Sequence, residues 1–473
     1  MMLRPTSIIW GLASLWLVGC STFTNLNPAL VKPSAPNAWT AVDVSNGAVD
    51  GWLEDFDQER ILRALVDEAI GKNYDLGTTL ARVRQATARA NIAGAALLTQ
   101  ATAGLLGSRS QRLRGSNFDK ITANQFSTTF DISWELDVWG RLRNLKSSAL
   151  ADLRATQADY QAVRLSLAVN VISNVLNLVE VQQQSEVTMQ SLKSLRTNLD
   201  ILDAKLEAGD VDDRTALEIT LSRADVLRAE ASLAASQRQA DALKRVVESL
   251  LGRYPEGAIQ ALIDFPTLKR EVSAGLPSEL LLRRPDIVAA EQRAIAATED
   301  VQASWKALLP SFTINSGAGT STTNKFSDLL DPKALVWDLA GRVSQTVFQG
   351  GRLVAGVELS KAQREEIASR YAETALQAFR EVETALAAEA YYLQQQGKLE
   401  AAVEQANLAE ELALGQYQKG LVDIITVLES QRRAFDSRSN LLRVRNERLQ
   451  NRLDLYLALG GDFDHRPTIS SQT

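Results

Sequence analysis

The longest uninterrupted pattern in the chain is a stretch of 68 residues, from Arg141 to Ala208, that contains neither glycine nor proline. As a helix it would extend about 100 Å, since each residue adds roughly 1.5 Å. Leucines recur within it at the spacings of a coiled-coil seam, at Leu192, Leu195, Leu199, Leu202 and Leu206. A helix this long cannot fold back into a compact core, so we expect helices packed side by side as a rod or tube.

The second half of the chain repeats the first at a constant shift of 211 residues. The matched positions include Asn73 and Arg284, Arg82 and Arg293, Leu97 and Leu308, Gly140 and Gly351, and Gly209 and Gly420. One shift shared by separate motifs indicates a duplication whose helices have kept their lengths. In the second copy the heptad spacing is looser, and Gly397 and Gly415 interrupt it.

After each long helix the chain is predicted to turn at a glycine. Gly209 and Gly420 follow the two long patterns, where glycine suits the left-handed closing position of a helix. Asp212 and Asp423 then stand at the start of the next helix, where a carboxylate accepts backbone N–H bonds. Two long helical hairpins, over 141–251 and 352–459, are therefore expected.

A strict alternation of apolar and polar residues precedes the first long helix. It runs for 13 residues from Phe126 to Val138, with Phe130 and Trp134 on the apolar side. The polar side carries three carboxylates, Asp131, Glu135 and Asp137. A tilted strand of about 9–11 residues crosses a membrane with lipid on one side and water on the other. The alternation therefore predicts a membrane-spanning strand, and the edge strand of a soluble sheet is the alternative.

Weaker alternation elsewhere predicts one β-hairpin in each repeat, over 103–138 and 311–349. Four strands cannot close a transmembrane barrel, and an open edge in lipid leaves backbone groups without hydrogen bonds. The chain must therefore oligomerise to work in a membrane. Two copies would supply 8 strands and three copies 12, and the residues alone leave both open.

The N-terminus predicts a secretory signal peptide. Arg4 precedes an uncharged run from Ile8 to Val18, which is too short to span a bilayer as a helix. The run ends in Leu17-Val18-Gly19-Cys20, which resembles the bacterial lipobox, so we expect diacylglycerol and an N-acyl chain on Cys20. The alternative is a buried free cysteine behind an ordinary cleavage site. Ser21 in the following position, by resemblance to sorted lipoproteins, implies the outer membrane.

These patterns predict a sequence of segments along the chain. They are a signal peptide (1–19), a lipidated arm with a first helix (20–72), repeat 1 (73–262), a linker (263–283), repeat 2 (284–462) and a C-terminal tail (463–473).

Composition limits the chemistry that is possible. The formal net charge is −6, and no basic tract is present, which argues against nucleic acid as a partner. His465 is the only histidine and Cys20 the only cysteine, so Ser–His triads, Cys–His dyads and the usual zinc sites are excluded. Counting residues leaves carboxylate catalysis and a magnesium site open, but no motif indicates either.

Several motifs are similar to those of the TolC-like outer-membrane factors, in particular the lipoprotein branch that serves tripartite efflux pumps. The most specific stretch runs from Gly275-Leu276-Pro277-Ser278-Glu279 through Arg283-Arg284-Pro285-Asp286 to Glu291. Trp134-Glu135-Leu136-Asp137, Gly140-Arg141 and the closing Leu459-Gly460-Gly461 are also similar. The resemblance covers about residues 52–462.

The resemblance implies a mainly α-helical protein with a transmembrane β part. Three protomers would form a 12-strand barrel, four strands each, continuous with a long coiled-coil barrel of helices. It implies a passive exit duct and no enzyme, metal or cofactor. The partners implied are a periplasmic adaptor, an inner-membrane transporter and outer-membrane lipid, with the tunnel projecting into the periplasm.

The same resemblance places a gate at the tip of the last two helices. Asp423 matches the acidic gate position, with Leu421 and Tyr417 as apolar constrictors; a plain helix cap is the alternative for Asp423. The residues expected to contact the adaptor or the neighbouring tip are Gly209, Asp212, Asp213, Arg214 and Gly420. Asp131, Glu135 and Asp137 are expected to line the barrel lumen.

Three alternatives remain, one within the family and two outside it. Within the family, a duct for type I protein secretion is the second candidate. Outside it, a periplasmic adaptor or a structural coiled-coil lipoprotein would also combine a lipobox with long helices. An adaptor has one helical hairpin and compact β-domains, whereas this sequence predicts two hairpins and membrane-type strands.

Overall fold

The structure is a computed structural model of the 473-residue chain. It describes residues 35–36, 38–41, 51–114, 119–209, 215–260, 262, 264–270, 274–275, 277–323 and 325–461. Cys20, Asp212, Asp213 and Arg214 lie outside the described residues, so the predictions made for them stay predictions.

The described elements alternate between helices and strands in two similar series. They are α1 (Glu59–Lys72), α2 (Tyr74–Ala95), β1 (Gln100–Arg114), β2 (Asp119–Leu136), α3 (Arg141–Glu207), α4 (Thr215–Leu250), α5 (Pro277–Arg283), α6 (Pro285–Lys306), β3 (Ser311–Thr322), β4 (Leu335–Ser344), α7 (Arg352–Gln418) and α8 (Ile424–Ala458). Helices α3 and α7 each contain 67 residues, and α2 and α6 each contain 22. The predicted internal repeat is confirmed.

The long helices begin at glycines and run without a break. Gly140 and Gly351 precede α3 and α7 with φ of 78° and 83°, a left-handed conformation in which any other residue would be strained. Helix α7 continues through Gly397 and Gly415, although these glycines interrupt its heptad pattern. A glycine inside a helix costs only about 1 kcal/mol relative to alanine. The packing of a 67-residue helix against its neighbours easily offsets that cost.

The four strands form one antiparallel sheet in the order β1-β2-β3-β4. On one edge β2 pairs with β1, beginning at Gln100↔Ser133. On its other edge it pairs with β3, beginning at Leu136↔Phe312. Helices α2, α3, α6 and α7 adjoin the strands at one end of this sheet. All four therefore continue in the same direction away from it.

The helices are arranged in an open row that mirrors the sheet. Next to the strands the order is α2-α3-α6-α7, and beyond the middle of the molecule it is α4-α3-α8-α7. Because α3 and α7 run through both parts, they connect the sheet to the far tip. In the described part of the chain, the row is not closed on itself.

The main hydrophobic core lies at the middle of the long helices. Leu165–Val179 of α3, Tyr371–Leu386 of α7, Leu449–Ala458 of α8 and the following Leu459 meet there, covered by α1 and by Trp52 and Phe56. Helix α3 is long and apolar enough to cross a membrane, but 56% of that apolar window is buried in the protein. Its hydrophobicity is therefore explained by this core.

A buried ion cluster joins the beginning of the described chain to its end. Asp55 is fully buried and accepts hydrogen bonds from Arg452 (2.9 Å) and from the Tyr456 hydroxyl (2.8 Å). It also accepts the backbone N–H groups of Lys269 (3.1 Å) and Arg270 (2.8 Å). One carboxylate thus fastens a covering segment to α8.

The same cluster reaches α7 through a second carboxylate. Arg452 also donates to Glu389 at 2.9 Å. Burial alone would lower the pKa of Arg452, but the facing carboxylates of Glu389 and Asp55 raise it above its usual value. Burial and the charge of Asp55 raise the pKa of Tyr456. Both groups therefore stay protonated and act as hydrogen-bond donors to the carboxylates.

The N-terminal arm is also attached at this level. The Trp39 indole donates to the carbonyl of Gly275 at 2.9 Å. Glu383 of α7 accepts the backbone N–H groups of Thr40 and Ala41, both at 2.9 Å. Residues 39–41 of the arm are therefore held against α7 and the segment at Gly275.

Candidate channel wall and gate

The register of the sheet separates an apolar from a polar face. One face carries mostly apolar side chains, among them Leu105, Phe126, Phe130, Ile132, Trp134, Leu136, Phe312, Ile314, Leu335, Trp337, Leu339 and Val343. The opposite face carries mostly small and polar side chains, among them Thr102, Ser127, Thr129, Asp131, Ser133, Glu135, Thr313, Asn315, Asp338 and Arg342. Most of the apolar side chains are exposed in the protomer. Such a sheet suits a wall between lipid and water.

Two carboxylates converge on the polar face. Asp131 and Asp338 lie on either side of Gly317 in the register of β2, β3 and β4. A Cβ atom at Gly317 would meet an oxygen of each carboxylate at 2.9 Å. The glycine therefore leaves space for both carboxylates, and the pair gives the middle of this face a negative charge.

The other two carboxylates predicted for the lumen are paired with arginines. Glu135 lies on β2 and accepts from Arg141 at 2.7 Å. Asp137 lies beyond the end of β2 and accepts the backbone N–H groups of Leu142 (2.9 Å) and Arg143 (3.0 Å) at the start of α3. Burial acts to raise the pKa of Asp137, but these hydrogen bonds and the Arg143 guanidinium outweigh it and lower the pKa. Asp137 therefore anchors the strand to the helix.

At the other end of the molecule, a small separate core holds the two helical hairpins together. It consists of Leu202 of α3, Ile219 of α4, Ala413 of α7, and Ile424 and Val427 of α8. Ile424 and Val427 are fully buried. All four long helices therefore contribute to one apolar contact at the tip.

The predicted gate residues surround this tip core. Gly420 has φ of 73° and closes α7 in the left-handed conformation. Asp423 caps α8, since its Oδ1 accepts from the backbone N–H (2.9 Å) and hydroxyl (2.8 Å) of Thr426. Leu421 lies between them and is 71% exposed. Gly209, at the other tip, is also left-handed, with φ of 80°.

Tyr417 connects the two hairpins at the tip. Its ring packs against the tip core, and Lys205 of α3 lies 4.8 Å from the ring centroid. The Lys205 Nζ also donates to the Tyr417 hydroxyl at 3.3 Å. In this conformation the side chain is therefore held between α3 and α7.

The seam between the two hairpins, where α3 meets α8, is joined by side-chain amides, hydroxyls and one carboxylate, that of Glu180. Asn198 donates to Gln431 at 2.7 Å in a buried position. Further pairs are Gln184–Ser439 (2.9 Å), Asn446–Asn177 (2.9 Å), Asn446–Glu180 (2.5 Å) and Ser173–Gln450 (2.6 Å). From Ser173 to Asn198 this amide seam extends about 37 Å along α3.

Contacts within each hairpin are of a different kind. In the second hairpin, arginines of α8 pair with glutamates of α7, as Arg438–Glu410 (2.9 Å), Arg445–Glu400 (2.9 Å), Arg448–Glu389 (3.2 Å) and Arg452–Glu389 (2.9 Å). In the first hairpin, Arg196 pairs with Glu230 at 2.6 Å and Arg223 with Asp203 at 3.1 Å. Each hairpin is thus held by ion pairs, and the two are joined chiefly by amides.

Some functional residues were not found from the sequence. Asp338 lies in a segment that was predicted as a strand, and its alternation with Trp337 and Leu339 would have placed it on the polar face. The amide seam has no such signal, because its partners are 233–277 residues apart. Among the described residues, no group of three or more His, Cys, Asp or Glu side chains is placed to hold a metal ion.

Comparison with known proteins agrees with this geometry. The sequence profile of the family "outer membrane efflux protein" matches residues 65–253 and 276–461, one segment in each repeat. The chain is 34% identical to the pyoverdine export outer membrane protein OpmQ of Pseudomonas putida over 460 residues, which cover 95% of this chain and 96% of the relative. It is 26% identical to the cation efflux system protein CusC of Escherichia coli K12, covering 97% of this chain and 100% of the relative.

A solved structure shows the same fold. The crystal structure of a membrane protein from Pseudomonas aeruginosa superposes with a TM-score of 0.84 at 27% identity, covering 93% of this chain and 98% of that one. On these grounds the chain belongs to the outer membrane efflux protein family.

Proposed function

We propose that three copies of this chain close into one channel in the outer membrane and form the exit duct of a tripartite efflux system. The observation that carries the proposal is an amphipathic sheet with two open edges. Within the described residues, β1 and β4 each pair on one side only. The row of helices is open as well. Next to the strands it ends in α2 and α7, and beyond the middle of the molecule it ends in α4 and α7. Pairing β4 of one copy with β1 of the next would extend both the sheet and the row of helices in the same direction.

Three copies would give 12 strands and a tube of 12 helices at each level. Family membership supports three copies over two. The apolar face would meet lipid, and the polar face, with Asp131 and Asp338, would line the lumen. The long helices would enclose a tunnel of about 100 Å, since α3 contains 67 residues. Such a tunnel can carry a solute from a periplasmic partner to the cell exterior.

The assembly can be tested with the purified full-length protein. Chemical crosslinking in detergent should give a trimer, and planar lipid films should show discrete conductance steps. Protein that remains monomeric and forms no pores would contradict the proposal. Export of a small toxic compound by cells with the partner adaptor and transporter would separate efflux from protein secretion.

Opening is proposed to occur at the tip, with an adaptor and an inner-membrane transporter as partners. The adaptor would contact the tips around Gly209 and Gly420 and, outside the described residues, Asp212, Asp213 and Arg214. It would draw the α7–α8 hairpin outward past α3. The amide seam and the tip core are the contacts that this movement would separate, whereas the ion pairs within each hairpin would be kept. Energy would come from the transporter.

Asp423 is proposed to act as a charged gate residue as well as the cap of α8, and substitutions can separate these two roles. On a three-fold axis, three Asp423 carboxylates would favour cations and resist anions. Asp423→Asn keeps the cap, because asparagine caps helices as well as aspartate does, but removes the charge. We expect the reversal potential in a KCl gradient to shift toward that of an unselective pore.

The controls distinguish charge from capping. Asp423→Ala should show the same electrical change and also lose about 1 kcal/mol of stability as the cap is removed. Asp436→Asn removes an exposed carboxylate farther along α8 and should leave the reversal potential unchanged. An unaltered reversal potential in Asp423→Asn would remove Asp423 from the gate.

We further propose that Cys20 carries the lipid anchor. The arm is fixed to α7 near Glu383, about 47 Å along the helix from its start at Arg352. The chain from Cys20 to Trp39 can reach at most about 65 Å. The anchor can therefore insert in the same membrane as the sheet.

Two variants test this anchor. Cys20→Ser should give a protein without acyl mass by intact mass spectrometry, and it should leave the membrane more readily at mild detergent concentrations. Removing eight residues between positions 22 and 34 would shorten the maximum reach below the required distance. We expect that deletion to impair outer-membrane assembly only when Cys20 is present. An acyl-free mass in the unmodified protein would contradict the proposal.

A further inference from the structure

The first β-hairpin extends beyond the rest of the sheet. Strands β1 and β2 pair up to Arg114↔Asp119, but β3 accompanies β2 only as far as Phe126↔Thr322. Residues 108–114 and 119–125 therefore form a two-stranded ribbon. At about 3.3 Å per residue the ribbon projects roughly 20 Å past β3. It points away from the helices, because these adjoin the opposite ends of the strands.

An aromatic contact marks the base of this ribbon. Phe126 lies on the apolar face of β2, and its ring packs edge-on against Phe326 with centroids 5.8 Å apart. Aromatic side chains of membrane barrels occupy the boundary between hydrocarbon and headgroups. Placing the boundary at this contact puts the start of the ribbon at the level of the lipid headgroups.

Beyond this contact the apolar face becomes polar and basic. The next pairs on that face are Arg109↔Asn124, Gln111↔Thr122 and Leu113↔Lys120. Arg109 follows Gly107, the partner of Phe126, by two residues, or about 7 Å. Arg112 is paired with Ile121 and lies on the opposite face, the one that would line the lumen.

The cationic groups of the ribbon are available to bind a partner. The side chains of Arg109, Arg112 and Lys120 are exposed. In the described part of the chain, ion pairs of the sheet lie at its helical end, where Arg141 binds Glu135 and Arg143 binds Asp137. The ribbon thus presents positive charge in a protein whose formal net charge is −6.

We propose that Arg109 and Lys120 bind the phosphate groups of the phosphorylated glycolipid in the outer leaflet. This inference rests on the proposed function, since it requires the apolar face to meet lipid. The planar guanidinium of Arg109 can bind a phosphate through two parallel hydrogen bonds. Lys120 adds a point charge on the same face, farther from the membrane centre. The phosphates of a lipid headgroup fit because they lie just outside the hydrocarbon.

The experiment uses purified full-length trimer in detergent and diphosphoryl lipid A as the probe. Native mass spectrometry would measure lipid binding, and the trimer dissociation temperature would measure its effect. We expect the unmodified protein to bind diphosphoryl lipid A and to bind the dephosphorylated lipid far more weakly. Arg109→Gln with Lys120→Gln should weaken binding of the diphosphoryl form about 10-fold to 30-fold.

Arg112→Gln is the matched control for Arg109→Gln. Both remove one arginine from the same strand of the ribbon, but Arg112 lies on the lumen side. Arg112→Gln should keep the affinity of the unmodified protein, whereas Arg109→Gln should lose affinity. Equal losses in the two variants would overturn the assignment to the lipid-facing side. Unchanged binding in the double variant would overturn the proposal altogether.

Two further outcomes have a defined meaning. If inorganic phosphate alone, at the same concentration, raised the dissociation temperature equally, the site would bind free phosphate and the lipid assignment would be overturned. Planar-film conductance of the same samples separates this test from the proposed function. A variant that keeps its conductance but loses lipid binding supports the inference, whereas absence of conductance in the unmodified protein contradicts the channel itself.

Discussion

Replacing Asp55 with alanine should destabilise the folded protein by about 3–5 kcal/mol, because the buried guanidinium of Arg452 loses one of its two carboxylates and keeps only Glu389. Arg452 has 3% of its side chain exposed and pairs with Asp55 at 2.9 Å. The change would also release the backbone N–H groups of Lys269 and Arg270 and the Tyr456 hydroxyl. Urea unfolding of the purified protein, followed by circular dichroism, would measure the loss.

An exposed ion pair is the control for this prediction. Arg370 and Glu366 pair on α7 with 73% and 57% of their side chains exposed. Glu366→Ala should change stability by less than about 1 kcal/mol, because solvent screens the pair. Asp55→Leu together with Arg452→Met should recover part of the loss, since no buried charge then lacks a partner. A cost below about 1 kcal/mol in Asp55→Ala would contradict the prediction and show that Glu389 alone compensates Arg452.

Adjacent residues of β4 should respond in opposite ways to the same substitution. Trp337 lies on the apolar face opposite Ala318, near the middle of the sheet, and is 76% exposed in the protomer. Trp337→Arg should cost about 2–4 kcal/mol per protomer if this side chain meets the bilayer midplane. We expect little folded trimer in the outer-membrane fraction, as measured by heat-modifiable migration.

Asp338→Arg introduces the same side chain one position along the strand, on the polar face. It should assemble in normal amounts, because the lumen is wet, and should reduce the cation preference of the current by replacing a carboxylate with a cation. Normal assembly of Trp337→Arg together with failure of Asp338→Arg would mean that the sheet faces lipid with its other side. The proposed barrel orientation would then be wrong.

The long helices could be predicted because each leaves a local pattern, and the internal repeat because its two copies keep the same motifs at one shift of 211 residues. The start of α3 at Arg141 and of α7 at Arg352 follow from glycines, and their lengths follow from runs without strong breakers. The strong alternation in β2 gave its two faces directly. The helices and the strand faces depend on neighbouring residues, and a sequence records neighbours explicitly.

Contacts between distant segments leave no such pattern. Asp55 and Arg452 are 397 residues apart, and nothing near either residue indicates the other. The role of Asp137 was missed for a different reason. Asp137 continues the alternation of β2, but the strand ends at Leu136. The backbone N–H of Leu142, at the start of α3, then donates to the Asp137 carboxylate. A period of two cannot show where the chain leaves the sheet.

The amide seam between the hairpins has a consequence for how the tip opens. When neutral side chains separate, each exchanges a protein partner for water at a cost of about 0.5–1.5 kcal/mol. Pairs such as Asn198–Gln431 and Gln184–Ser439 would therefore resist separation by only a few kcal/mol in total. A docking partner that binds the separated state about a thousandfold more tightly supplies that much free energy. Since amide pairs such as these carry no net charge, dissolved ions hardly screen their share of the resistance, and that share of the opening threshold should be similar in dilute and saline surroundings.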